Sequence, residues 1–195
     1  MKTKGEIDVV VLIDVKTDNV TDYKKTSLLL VFPYCSNKCK NCQNILLQNC
    51  TTNLSVKPSD ILDLYQNLKT HNAIVMAGLE PFDSFDDVLS ILSELNHLNK
   101  NTDIVIYTGY TKEEYKKQFE FDLLKEYKSA IERNPGIDFN LLVKVGRYDE
   151  EYKHSWYSKA LGVNLATTNQ SVFVYKNNFQ GYIDYYKTEK DEVNV

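Results

Sequence analysis

The sequence predicts an α/β protein, an open partial barrel of mostly parallel strands in a single domain. Apolar runs of strand length alternate with helical segments, which favours parallel pairing through right-handed crossovers. A closed eightfold barrel typically takes about 250 residues, and the chain has 195, so the barrel is expected to stay open. The predicted strands cover residues 7–15, 27–32, 73–77, 103–107, 139–145 and 171–175.

Helices are predicted between these strands by their start signals. Pro58 suits the first residue of a helix that runs to about residue 69. Ser84, with Asp87 three residues later, predicts a cap for a helix to about residue 97, and Thr111 with Glu114 predicts a capping box for a broken helix to about residue 133. The polar segments 16–25 and 49–55 are expected to be surface connections.

Composition restricts the class of protein. Apolar residues make up 43% of the chain, enough for one sizeable core, and the net charge of −4 argues against a nucleic-acid surface. Acidic Asp8 and Asp14 interrupt the first apolar run, so neither a signal peptide nor a membrane span is expected, and a cytoplasmic location follows. Residues 1–176 are expected to form the domain and residues 177–195 a polar tail.

Three cysteines are crowded behind the strand predicted at residues 27–32. Cys35, Cys39 and Cys42 have the spacing C-x3-C-x2-C, and the polar residues between them favour a loop over a buried helical face. Complete zinc and iron–sulfur sites usually take four protein ligands, so three thiols suggest a four-iron cluster with one iron open to another ligand. Cys50 leaves a four-cysteine zinc site as an alternative.

Further motifs follow in order along the chain. They are Met-Ala-Gly-Leu-Glu-Pro at 76–81, Tyr-Thr-Gly-Tyr at 107–110, Gly-Arg-Tyr-Asp-Glu-Glu at 146–151 and Thr-Thr-Asn-Gln at 167–170. With the cysteine loop, this set resembles the radical S-adenosylmethionine (SAM) enzymes, and among them the activating proteins of anaerobic ribonucleoside-triphosphate reductase. Three departures from that family are Leu79 at its second turn glycine, Val145 at a frequent aspartate, and residues 22–26 where a Gly-Pro-Gly segment is usual.

The resemblance implies a partial (β/α)6 barrel with two cofactors, a 4Fe–4S cluster and SAM. It implies that Cys35, Cys39 and Cys42 hold the cluster and that Gly78 and Glu80 form the floor of the SAM site. Further SAM contacts are expected from Thr108, Gly109 and Asn169. For Glu80, a role as an ordinary surface acid stays open.

The same resemblance implies an oxidoreductase reaction with a protein partner. Reductive cleavage of SAM would give a 5′-deoxyadenosyl radical, which would place a glycyl radical on a partner enzyme, first of all an anaerobic ribonucleotide reductase. A flavodoxin or ferredoxin would supply the electron. The alternatives are a radical SAM enzyme that modifies a small molecule or a base, and a zinc-stabilised interaction module.

Overall fold

Seven strands form one mixed sheet at the centre of the computed structural model, which describes residues 9–51, 53–177 and 180–187. In spatial order they are β11 (Gly181–Tyr185), β10 (Ser171–Tyr175), β7 (Phe139–Val145), β6 (Thr102–Tyr107), β5 (Ala73–Gly78), β3 (Ser27–Phe32) and β2 (Asp14–Asn19). The central strands β3, β5, β6 and β7 are parallel, whereas β2, β10 and β11 pair antiparallel. In the described chain β2 and β11 do not pair with each other, so the sheet is open. Its curvature into a partial barrel stays a prediction.

Two short two-stranded sheets accompany the central one. Strand β1 (Val10–Leu12) pairs antiparallel with β4 (Leu54–Val56), and β8 (Trp156–Ser158) pairs antiparallel with β9 (Val163–Leu165). The second pair lies in the long connection between β7 and β10, which leaves the sheet at the carboxyl end of its parallel strands.

Among the described residues, four α-helices connect the strands. They are α1 (Pro58–Asn67), α2 (Phe85–Glu94), α3 (Lys112–Gln118) and α4 (Glu120–Arg133). The predicted start at Pro58 and the capping box of Thr111 and Glu114 are confirmed. The predicted Ser84 cap is wrong, because Ser84 makes no capping hydrogen bond and Asp87 instead accepts one from the backbone N–H of Val11 at 3.2 Å.

The sheet buries both of its faces, as continuous apolar strands require. In β3, Leu28, Leu30 and Phe32 pack into one core cluster with the helices, and the alternate residues Leu29 and Val31 pack into a second cluster. The second cluster is closed by side chains of the β8–β9 region, namely Trp156, Ala160, Leu161 and Leu165. The chain therefore covers both sides of its own sheet.

The first predicted strand is divided in the structure. Residues 7 and 8 lie outside the described ranges, Val10–Leu12 joins the small sheet, and β2 begins at Asp14 and runs through a segment expected to be a connection. The polar residues of Asp14–Asn19 fit an edge strand, which keeps part of its surface in water. The segment 49–55, expected to be a loop, likewise contains the start of β4.

A strand also occurs beyond residue 176. Gly181–Tyr185 pairs with Ser171–Tyr175 along its whole length, although the sequence predicts a polar tail there. The tyrosine-rich composition conceals this edge strand, because its side chains are exposed or only half-buried. The domain boundary at residue 176 stays a prediction. No helix of the described residues is long and apolar enough to cross a membrane.

Candidate metal centre

The three clustered cysteines follow β3, at the carboxyl edge of the parallel strands. The segment 35–42 contains no helix, so the helical-face alternative is wrong, and Lys38 and Asn41 adopt left-handed φ angles of 48° and 56°. Cys35, Cys39 and Cys42 are half-buried and line one cavity of about 440 Å³. The carboxyl edge of a parallel sheet is the usual place for a ligand site.

The thiols influence one another electrostatically. Burial raises the pKa of Cys39, the neighbouring Cys35 and Cys42 raise it further, and the positive charges of Arg147 and Lys144 act in the opposite direction. In the described residues no group of three or more His, Cys, Asp or Glu side chains is already arranged around a metal position. The donor chemistry fits an iron–sulfur cluster, since three thiols share one cavity and a bound cation stabilises their thiolate forms.

Two asparagine side chains, one between the first two cysteines and one after the third, attach this loop to the turn after β5. Asn37 Nδ2 donates to Glu80 Oε2 at 2.8 Å, and Asn44 Nδ2 donates to the carbonyl oxygen of Gly78 at 2.5 Å. The loop is therefore attached to the two residues that the family resemblance assigns to the floor of the SAM site.

Acidic side chains hold the rest of the loop. Asp83 accepts hydrogen bonds from the backbone N–H and, at 2.9 Å, the hydroxyl of Ser36, and from Tyr110 Oη at 2.8 Å. Asn41 Nδ2 donates to Glu150 Oε1 at 2.5 Å. These contacts fix the loop against the β6 turn and the segment after β7.

Glu80 is a buried residue, which rules out the ordinary surface acid. Its side chain is 1% exposed and accepts hydrogen bonds from Gly109 N at 2.7 Å, Phe82 N at 3.1 Å and Asn37. Burial raises the pKa of this carboxyl, and the hydrogen bonds from Gly109, Thr108 and Phe82 reduce the shift without cancelling it. The carboxylate therefore joins the cysteine loop, the β5 turn and the β6 turn at one point.

Position 78 needs a glycine because of the backbone conformation and the close neighbours there. Its φ is 104°, and a Cβ there would lie 2.7 Å from Val31 Cγ1 and 2.9 Å from the backbone nitrogen of Phe32. Only glycine adopts this conformation without strain. Leu79, at the position of the family's second glycine, also lines the cavity and donates its backbone N–H to the Phe32 carbonyl oxygen at 3.2 Å.

The remaining predicted SAM contacts lie on two loops. Thr108 and Gly109 line the cavity with the cysteines, and a Cβ at Gly109 would lie 2.7 Å from Asn37 Nδ2. Asn169 is exposed and donates to the carbonyl oxygen of Arg147 at 3.1 Å, and the cavity is lined by its neighbour Gln170 instead. The roles of all three in SAM binding stay predictions.

Lys144 is a site residue that the sequence did not single out, and Arg147 was part of the motif at 146–151 without an assigned role. Lys144 is buried, its Nζ donates to the carbonyl oxygen of Gly146 at 2.6 Å, and burial lowers its pKa to about 8. A lysine near the end of a mostly apolar strand was the available signal, since a lysine is rarely fully buried without a partner. Arg147 binds the Gly109 carbonyl oxygen at 3.2 Å and Glu114 at 2.7 Å.

An α/β fold with three thiols gathered in a cavity at the ends of its parallel strands defines an iron–sulfur type of protein. The chain matches the family described as 4Fe-4S single cluster domain over residues 24–153, about two thirds of its length, and it belongs to that family. The match supports a 4Fe–4S cluster as a cofactor. No curated protein and no solved structure matches the chain significantly.

Proposed function

We propose that the protein is a radical SAM enzyme of the glycyl-radical activase type, with an anaerobic ribonucleotide reductase as its partner. One observation supports this most. A single cavity of about 440 Å³ is lined both by the three cysteines and by Gly78, Glu80, Thr108 and Gly109. This volume lies in the range of pockets that take small molecules.

The cofactors carry the chemistry once they are bound. Held by Cys35, Cys39 and Cys42, a reduced cluster would supply the electron that splits SAM into methionine and a 5′-deoxyadenosyl radical. That radical would take one hydrogen atom from a glycine of the partner, giving 5′-deoxyadenosine and a glycyl radical. A flavodoxin or ferredoxin would restore the electron.

The chain supplies ligands, position and charge. Cys35, Cys39 and Cys42 hold the cluster on a loop that Asn37 and Asn44 fix to the β5 turn. Glu80 keeps this turn in place and provides a negative charge that favours the ammonium group of SAM. Lys144 lines the same cavity and provides a buried positive charge, which would stabilise an anionic group of the ligand.

The choice of partner is supported by the motifs at 107–110 and 146–151. Arg147 connects them directly, since its Nε donates to the Gly109 carbonyl oxygen. The motif at 167–170 adjoins them, because Gln170 Nε2 donates to the carbonyl oxygen of Gly146 at 3.3 Å. Three segments that resemble the reductase activases thus meet at one edge of the cavity. We expect the pair to work in the cytoplasm.

The test combines product analysis with spectroscopy. Anaerobically reconstituted protein, given SAM and a strong one-electron reductant, should release methionine and 5′-deoxyadenosine in equal amounts. Addition of the reductase should produce a doublet in the electron paramagnetic resonance (EPR) spectrum that collapses when the reductase carries deuterated glycine. SAM cleavage with turnover of a small metabolite and no doublet would favour the small-molecule enzyme instead.

A further inference from the structure

A second cavity, of about 760 Å³, adjoins the one that contains the cysteines. Both are lined by Tyr107, Lys144 and Gln170, so the two spaces meet at the ends of β6 and β7. The outer wall of the second cavity is formed by residues 153–155 and by β9. This space has no role in holding the cluster or in the SAM contacts assigned above.

The shape of the wall indicates what kind of ligand it takes. Val163, Asn164 and Leu165 are consecutive residues of β9, and all three line the cavity. Successive side chains of a strand point to opposite faces, so a cavity that touches all three lies along the edge of the strand. Within the described ranges β9 pairs only with β8, so its other edge has no strand partner.

The rest of the chain holds this hairpin in place. Trp156 Nε1 donates to the Thr167 carbonyl oxygen at 3.1 Å, and Asp184 accepts from Ser158 Oγ at 2.7 Å and from Ala160 N at 2.9 Å. The open edge is therefore presented by a fixed wall. An ordered free edge is the feature that an extended peptide uses when it adds a strand to a sheet.

We infer that the second cavity binds an extended peptide segment of the partner protein along the open edge of β9. The inference rests on the proposed function and specifies its substrate as a polypeptide backbone. A segment paired with β9 leads to the boundary marked by Tyr107 and Lys144, where the glycine of the partner faces the first cavity. The wall includes the charged side chains of Asp22, Lys144 and Lys153. Its uncharged polar residues Tyr148, Ser155 and Asn164 suit main-chain N–H and C=O groups.

Hydrogen–deuterium exchange tests the binding mode without any turnover. The probe is a synthetic peptide of about ten residues centred on the radical-bearing glycine of the anaerobic reductase, added to the reconstituted holoprotein. Saturating peptide should slow exchange in the segment 163–165 at least tenfold, because pairing engages the outward backbone N–H groups. Unchanged exchange in 163–165, or protection confined to another surface, overturns the inference.

A pair of variants tests the same site through the reaction. Asn164→Trp places a bulky side chain in the second cavity, and Lys159→Trp places the same side chain on an exposed position of the hairpin that does not line it. The measured quantity is glycyl radical formed with the reductase, divided by 5′-deoxyadenosine released in its absence. That ratio should fall at least tenfold in Asn164→Trp and stay within twofold in Lys159→Trp, with iron content equal to the parent in both.

The outcomes separate the two proposals. An unchanged ratio in Asn164→Trp means that the partner enters elsewhere, while the activase function stands. A parent protein that releases no 5′-deoxyadenosine refutes the proposed function, and the peptide site falls with it.

Discussion

Replacing Glu80 by alanine should strongly destabilise the protein. The substitution removes the acceptor of the backbone N–H groups of Phe82 and Gly109 and of the Asn37 amide, at a position that is 1% exposed. Each buried donor left without a partner costs about 1–3 kcal/mol. Part of this is offset because a carboxylate is no longer buried, so we expect a net loss of about 3 kcal/mol.

Urea denaturation at neutral pH, followed by circular dichroism, measures this loss. With a slope of about 2 kcal/mol per molar urea, the midpoint should fall by about 1.5 M. The matched control is Glu132→Ala, which removes an exposed glutamate in a 3.8 Å pair with Lys128 and should change the stability by less than about 0.5 kcal/mol. A Glu80→Ala midpoint as close to the parent as that of the control would refute the role of Glu80 as the junction of the three loops.

The pH dependence of stability gives a second test of the same residue. A glutamate in the unfolded chain has a pKa of about 4.3, and burial raises the pKa of Glu80 in the folded chain. Between those two values the folded protein keeps a proton that the unfolded chain has lost, so the contribution of Glu80 falls as the pH rises through this window. The stability of the parent relative to Glu80→Gln should therefore decrease with rising pH there, and an increase would contradict the assignment.

Three further predictions concern the cluster ligands, the β5 turn and the opposite end of the sheet. Cys39→Ala should lose the iron–sulfur absorbance after anaerobic reconstitution, whereas Cys50→Ala should keep about four irons per chain; retained iron in Cys39→Ala would exclude the three-cysteine site. Gly78→Ala should cost at least about 2 kcal/mol in urea denaturation, since a positive φ and a backbone collision both oppose a Cβ; a cost below about 0.5 kcal/mol would contradict this. Tyr23→Phe removes a 2.7 Å hydrogen bond to buried Asp103 and should cost about 1–2 kcal/mol while iron binding is unaffected, so a loss of iron without a loss of stability would contradict the separation of the two regions.

The parts of the fold that were predictable are those where local signals agree with burial. Continuous apolar runs identified β3, β7 and β10 with their observed ends, because strands buried on both faces contain few polar residues. The edge strands were not predicted, because they are not buried on both faces and contain many polar residues. Asp14–Asn19 and Gly181–Tyr185 are polar or tyrosine-rich, and only their pairing partners make them strands.

The gathering of the three cysteines was predictable from the sequence, whereas the side chains that support their loop were not. Cysteine spacing is a local signal, and the structure places all three thiols in one cavity. Contacts such as Asn37 with Glu80 join residues that are 43 positions apart, and no local pattern encodes them. Gly78 shows a different limit of sequence reasoning. The sequence indicates a turn that contains glycine, but it does not indicate that a side chain at this position would collide with Val31 and Phe32.

The central claim is that the three cysteines hold a cluster whose remaining iron is open to SAM in the same cavity. The most direct measurement is the EPR spectrum of the reduced holoprotein, recorded at low temperature with and without SAM. Binding of SAM to the open iron should change the g-values of the cluster signal, and the change should saturate with the SAM concentration. A fully loaded cluster whose spectrum is identical in the presence of excess SAM would contradict the account.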